Sequence, residues 1–113
     1  MAITFDQIRP LFGKPFEDPA VTKFVGKFKA RWAGEVPDAF AALGYDAAYL
    51  LADAIKRAGS TKGSEIRDAL AATKDFAGVT GRTQINEKRD ATKPAAILTV
   101  ENSRLKFLQS VGP

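Results

Sequence analysis

Three carboxylates, Asp38, Asp46 and Asp53, stand on the longest helix-like stretch of the sequence, residues 37–59. Asp46 and Asp53 are two helical turns apart and share a face, and Arg57 follows Asp53 by four residues. A carboxylate cluster could hold a metal ion or move a proton. Either task needs a second oxygen-rich segment or a partner base, and the sequence offers neither. The pattern reads instead as a capped helix with one i,i+4 ion pair, a contact worth ~0.2–0.5 kcal/mol. Gly78-Val79-Thr80-Gly81 has the glycines of a phosphate-binding turn, but lacks the P-loop spacing and the following Lys-Ser/Thr. There is no cysteine and no histidine, so thiolate and imidazole, the commonest soft ligands and the commonest neutral-pH base, are excluded. These residues predict a protein that is not an enzyme and holds no cofactor and no metal.

The aromatic residues offer binding rather than catalysis. Phe40 falls in the first turn of the same helix, and Tyr45 and Tyr49 are four residues apart. The tyrosines read as core residues with a polar tip. Phe40 reads as a hydrophobic anchor or as the lining of a ligand cleft, and helical spacing alone does not choose between them. Lys23, Lys27 and Arg31 make a basic stripe on a preceding helix. Such a stripe is ordinarily a solvated face, and the rival reading is a track for phosphates. Phe24, Phe28 and Trp32 are predicted to face the core on the opposite side, so nucleic acid is disfavoured as a partner.

The elements that position these residues follow from capping and periodicity. At 113 residues with a net charge of +4, the chain is one domain or a piece of one. Residues 1–17 read as a short strand, Ala2–Phe5, followed by a packed loop broken by Pro10, Gly13 and Pro15. Residues 18–74 carry three helices. Asp18-Pro19 starts the first, with apolar residues at Val21, Phe24, Val25, Phe28 and Trp32. Asp38 caps the second and Gly59 ends it. Thr61 or Ser64 is expected to cap the third, which carries Ile66, Ala69 and Leu70 and ends near Lys74. Residues 79–108 read as β structure, with strands at 82–85, 95–100 and 104–108 forming a meander. The first half of the central helix is apolar all round except for Asp46, which predicts burial on more than one side. The core is expected to hold Phe24, Phe28, Trp32, Leu43, Leu50, Leu51, Ile55, Ile66 and Leu70. No apolar run is long enough to cross a bilayer, so membrane insertion is not expected. The N-terminus has no secretory-signal pattern, which implies a cytoplasmic chain as written.

The order Asp18-Pro19, Phe24-Val25, Phe28, Trp32, then Pro37-Asp38-Ala39-Phe40-Ala41-Ala42-Leu43-Gly44-Tyr45-Asp46-Ala47, Ala54-Ile55 and Ala58-Gly59-Ser60 resembles type I periplasmic solute-binding proteins. The branch it is most similar to serves branched-chain amino-acid ABC transporters. The similarity runs on through Ile66-Arg67-Asp68-Ala69-Leu70 and Phe76-Ala77-Gly78-Val79-Thr80-Gly81 to Lys93-Pro94-Ala95-Ala96-Ile97-Leu98. The resemblance covers residues 18–108 and only the C-terminal third of such proteins. It implies an α/β fold (α+β as a fragment), part of a periplasmic-binding-protein lobe: three helices, a short N-terminal strand and a C-terminal β meander. It implies a periplasmic parent, an amino acid as ligand, and ligand contacts at Phe40 and Tyr45.

A truncated or engineered half-lobe would bind ligand incompletely by itself. Its helix faces would exceed its sheet, so a homo-oligomer or a missing lobe is expected to cover them. Two alternatives stand beside this reading: an engineered or structural self-associating module with no ligand, and a small basic nucleic-acid-binding domain.

Overall fold

The computed structural model describes residues 18–112. The expected strand at Ala2–Phe5 and the packed loop after it lie outside these residues. Three helices come first: α1 (Pro19–Arg31), α2 (Ala39–Ala58) and α3 (Gly63–Ala71). Five strands follow: β1 (Phe76–Gly78), β2 (Gly81–Ile85), β3 (Ala91–Thr92), β4 (Ala95–Glu101) and β5 (Arg104–Val111). The chain is mixed α/β, as expected.

The helix ends are set by local chemistry. The Asp18 side chain accepts the Ala20 amide at 2.9 Å, and Pro19 opens the first turn. The Asp38 side chain accepts the Ala41 amide at 2.8 Å. Gly59 closes α2 in the left-handed region (φ 62°), where a side chain would be strained. The cap of α3 differs from expectation. Lys62 is the N-cap and offers no side-chain hydrogen bond, so neither Thr61 nor Ser64 caps this helix. The Ser60 hydroxyl instead accepts the Lys62 amide at 3.1 Å, shaping the approach to the helix.

The β region forms two separate sheets rather than one meander. β1-β2-β3 is a small antiparallel sheet, and β4-β5 is an antiparallel hairpin. The strands expected at 82–85, 95–100 and 104–108 are present as β2, β4 and β5. β1 and β3 are too short to show a periodicity, and they take the edges of β2 that β4 was expected to take. The β4–β5 turn places both Asn102 and Ser103 at positive φ (51° and 60°). That backbone twist joins two strands without splaying them.

The core lies between α1, the first half of α2 and the β1–β2 turn. Val21, Phe24, Val25, Ala42 and Val79 are buried together, with Phe28, Val36, Ala41 and Tyr45 packed against them. This corrects the expected core. Trp32, Leu43 and Leu51 are 50%, 42% and 45% exposed. The buried residues of α2 are Ala42, Asp46 and Ala54, so the helix turns its small residues and one carboxylate inward. Small side chains let α2 approach its neighbours closely. The bulkier row of Phe40, Leu43 and Leu51 is left facing out.

Candidate functional site

α2 positions every candidate residue. Phe40 stands in the first turn, two residues after the Asp38 cap, and is 80% exposed. Tyr45 lies five residues on, about 140° around the helix axis. It is half-buried, with ring centroids 4.8 Å from Phe24 and 4.6 Å from Tyr49. The two predicted ligand residues therefore share a helix end but not a face. The hydrogen bond that Tyr45 shares with Tyr49, followed by partial burial, pushes the Tyr45 hydroxyl up to about 12. The same hydrogen bond, seen from the acceptor side, lowers Tyr49, and Lys27 and then Lys23 lower it further against a small opposing effect of burial.

Beside Tyr45 is a polar junction that sequence reasoning missed. Asp46 is only 6% exposed. Its Oδ1 accepts the Val79 amide at 2.7 Å, and its Oδ2 accepts the Thr80 amide at 2.9 Å and the Thr80 hydroxyl at 2.5 Å. Lys93 Nζ then donates to Thr80 Oγ1 at 2.6 Å. A hydroxyl has one proton and two lone pairs, so Thr80 can serve both neighbours at once. Burial pushes the Lys93 ammonium below the usual lysine value, and the charge of Asp46 partly restores it. Gly78 completes the cradle, because a Cβ there would collide with the Asp46 carboxylate.

The turn 78–81 thus receives an anion through its backbone amides, as a phosphate loop does, but the anion is the chain's own carboxylate. Asp46, committed to three donors, is an acceptor that fastens a turn to a helix. The one available signal was its position as the lone charge in an apolar half-helix.

The other expected carboxylate behaves as predicted. Arg57 Nε donates to Asp53 Oδ2 at 2.7 Å. The same guanidinium donates to the Ala69 carbonyl at 2.6 Å and to Thr73 Oγ1 at 2.9 Å, tying the end of α2 to α3. No group of three acidic side chains comes together among the described residues. No helix among them is long and apolar enough to cross a membrane.

A family model for periplasmic binding proteins matches residues 10–104. The chain belongs to the periplasmic binding protein family. Within that family it is similar to a leucine binding protein, LivK, from Thermotoga maritima, with 36% identity over 89% of this chain and a TM-score of 0.69. It is similar also to LivJ from Streptococcus pneumoniae, a branched-chain amino acid transporter substrate binding protein solved with isoleucine, with 36% identity over 85% of this chain and a TM-score of 0.68. A putative branched-chain amino acid ABC transporter protein from Rhodospirillum rubrum shows 38% identity over 81% of this chain and a TM-score of 0.73.

These family members are binding proteins, not enzymes. The chain spans 29%, 27% and 27% of their respective lengths. A benzoate-bound solute binding protein from R. palustris, at 23% identity and a TM-score of 0.66, shares the fold. No curated protein matches the chain.

Proposed function

We propose that this chain is a part of a periplasmic solute-binding protein of the branched-chain amino-acid type, and that by itself it holds the ligand incompletely. The observation that carries the reading is the 36% identity to a leucine binding protein over 89% of this chain, set against coverage of only 29% of that protein. In this reading residues 1–113 are a single partial domain. Phe40, exposed at the start of α2, contributes an apolar contact to an amino-acid side chain, and Tyr45, about 140° around the same helix, is the second contact in this reading.

The outward row Phe40, Leu43 and Leu51 is then the seat for the remainder of the protein. Apolar area of this kind is worth ~25 cal/mol per Å² when covered. In the isolated chain a second copy is the substitute, and this row favours the self-associating module as the second reading.

Calorimetry with leucine, isoleucine, valine and phenylalanine tests the first reading. The chain alone should give no saturable heat, and the chain joined to the rest of a family member should bind one of the four. Phe40→Ala in the joined protein should weaken that binding by about 1 kcal/mol or more. Unchanged affinity would remove Phe40 from the site. Light scattering tests the second reading, since an assembly built on this row dissociates when Leu43 and Leu51 are both changed to Gln.

A further inference from the structure

The chain's charge is unevenly placed. α1 carries four cations, Lys23, Lys27, Lys29 and Arg31, and no acidic residue. The rest of the chain is balanced, with thirteen cations against thirteen acids, so this one helix accounts for the whole net charge of +4. Lys23 and Lys27 are exposed and take part in no ion pair among the described residues. The i, i+4, i+8 row of Lys23, Lys27 and Arg31 extends ~12 Å along the helix.

Aromatic residues border this row. Each of its cations precedes an aromatic residue: Lys23-Phe24, Lys27-Phe28 and Arg31-Trp32. The rings form a ladder. Trp32 lies 6.1 Å from Phe28, Phe28 lies 6.1 Å from Phe24, Phe24 lies 4.8 Å from Tyr45, and Tyr45 lies 4.6 Å from Tyr49. The middle of the ladder is buried at Phe24 and half-buried at Phe28 and Tyr45, and both ends are open, with Trp32 and Tyr49 each 50% exposed. Arg31 lies over the Trp32 ring at 4.9 Å. At the other end, Lys27 and Lys23 impose a positive field on the Tyr49 hydroxyl. The sequence reading placed all three aromatics of α1 on the far, core-facing side. The structure brings Trp32 to the surface and adds Tyr49 from α2.

We propose that the exposed face of α1, with Trp32 and Tyr49 at its ends, is a docking surface for an acidic protein segment. Unpaired cations in one short row complement carboxylates on a partner. Half-exposed Trp and Tyr beside Arg are the residue types that supply energy at protein interfaces. Nucleic acid fits less well. Phe24 and Phe28 are turned into the core and cannot stack on bases, Trp32 has one face under Arg31, and the row is short for a polyphosphate backbone. The inference does not rest on the amino-acid-binding reading: it uses no contact of Phe40, and Tyr45 enters only as the rung between Phe24 and Tyr49.

The test is fluorescence anisotropy of a labelled decaglutamate peptide titrated with the 113-residue chain at low and at physiological salt. The wild-type chain should bind, and more weakly as salt rises. Replacing Lys23, Lys27 and Arg31 together by Gln should weaken binding about tenfold or more. Replacing Lys56, Lys74 and Lys88 by Gln, which leaves the same net charge, should weaken it less than about twofold. Circular dichroism confirms that both variants are folded. Equal weakening by the two triple variants would overturn the proposal, because only net charge would then matter. Absence of peptide binding at low salt would also overturn it. So would tighter binding of a labelled oligothymidylate of equal charge with the same dependence on α1, which would make the surface a nucleic-acid site.

Discussion

Asp46 and Asp53 are the same side chain, seven residues apart on α2, and their surroundings differ in every respect. Asp53 is 43% exposed at its side chain and pairs with Arg57, four residues along the same helix. Asp46 is buried and binds groups more than thirty residues away, in the β1–β2 turn. The exposed pair exchanges one solvated arrangement for another and gains little. The buried carboxylate has lost its water, and the turn's donors must replace it. A helix can therefore carry one acid that decorates it and another that fastens a separate unit to it. The partner decides which, and the acid alone does not.

The sharpest way to break this contrast is Asp46→Ala. It strands the Val79 and Thr80 amides and the Thr80 hydroxyl in a buried place, at a cost of ~3 kcal/mol or more. Denaturant unfolding measures it, and a loss below ~1 kcal/mol would place the junction in water. Gly78→Ala attacks the same cradle from the other side. Its Cβ meets the carboxylate head-on, and the strain should cost ~1–3 kcal/mol. Restored stability in the double variant Gly78→Ala/Asp46→Ala, relative to the sum of the singles, would show that the two share one contact.

The sequence showed one of these acids and hid the other for a physical reason. Asp53 and Arg57 meet because of helical periodicity, which is written locally. Asp38, Gly59 and Asp18-Pro19 were legible for the same reason, since caps act over three or four residues. Asp46 meets a turn that only the tertiary fold brings near. Its isolation among alanines marks burial but cannot name the donor. The glycines of residues 78–81 were visible as a turn, yet a self-supplied anion cannot be told from a bound one by spacing. The direction in which α2 faces was misread likewise. Burial on more than one side was expected for its first half, but Ala42 and Asp46 are buried there while Phe40 and Leu43 are exposed. Leu51→Ala is accordingly expected to cost less than ~1 kcal/mol.

The neighbouring tyrosines repeat the contrast at smaller scale. Tyr45, next to Asp46, faces inward, and Tyr49 faces out. The chain has only these two tyrosines, so absorbance near 295 nm should show two separated steps, one below 10 and one at about 12. The two steps belong to the pair as a unit. Tyr45 is raised above its unfolded value of 10.0, so its contribution to stability is complete below pH 10 and is lost as pH rises from there through about 12. Tyr45→Phe should return the Tyr49 step toward its ordinary value, though Lys27 and Lys23 still hold it down. A single step at 10 in the wild type would mean the hydroxyls do not meet.

The smallest effect belongs to Asp53→Asn. Loss of an exposed i,i+4 pair should cost ~0.5 kcal/mol or less, and raised salt should reduce it further. A larger loss would mean that Asp53 also orients Arg57 toward Ala69 and Thr73. In that case Arg57→Lys, which loses the fork geometry, should be as damaging.

Native-state hydrogen exchange at the Val79 and Thr80 amides tests most directly whether Asp46 fastens the β1–β2 turn to α2. The account predicts protection comparable to that of the buried Ala54 amide in the wild type, falling to the rate of the exposed Glu87 amide in Asp46→Ala, which removes both acceptor oxygens, while Ala54 stays protected. Exchange of Val79 and Thr80 at the Glu87 rate in the wild-type chain would contradict it.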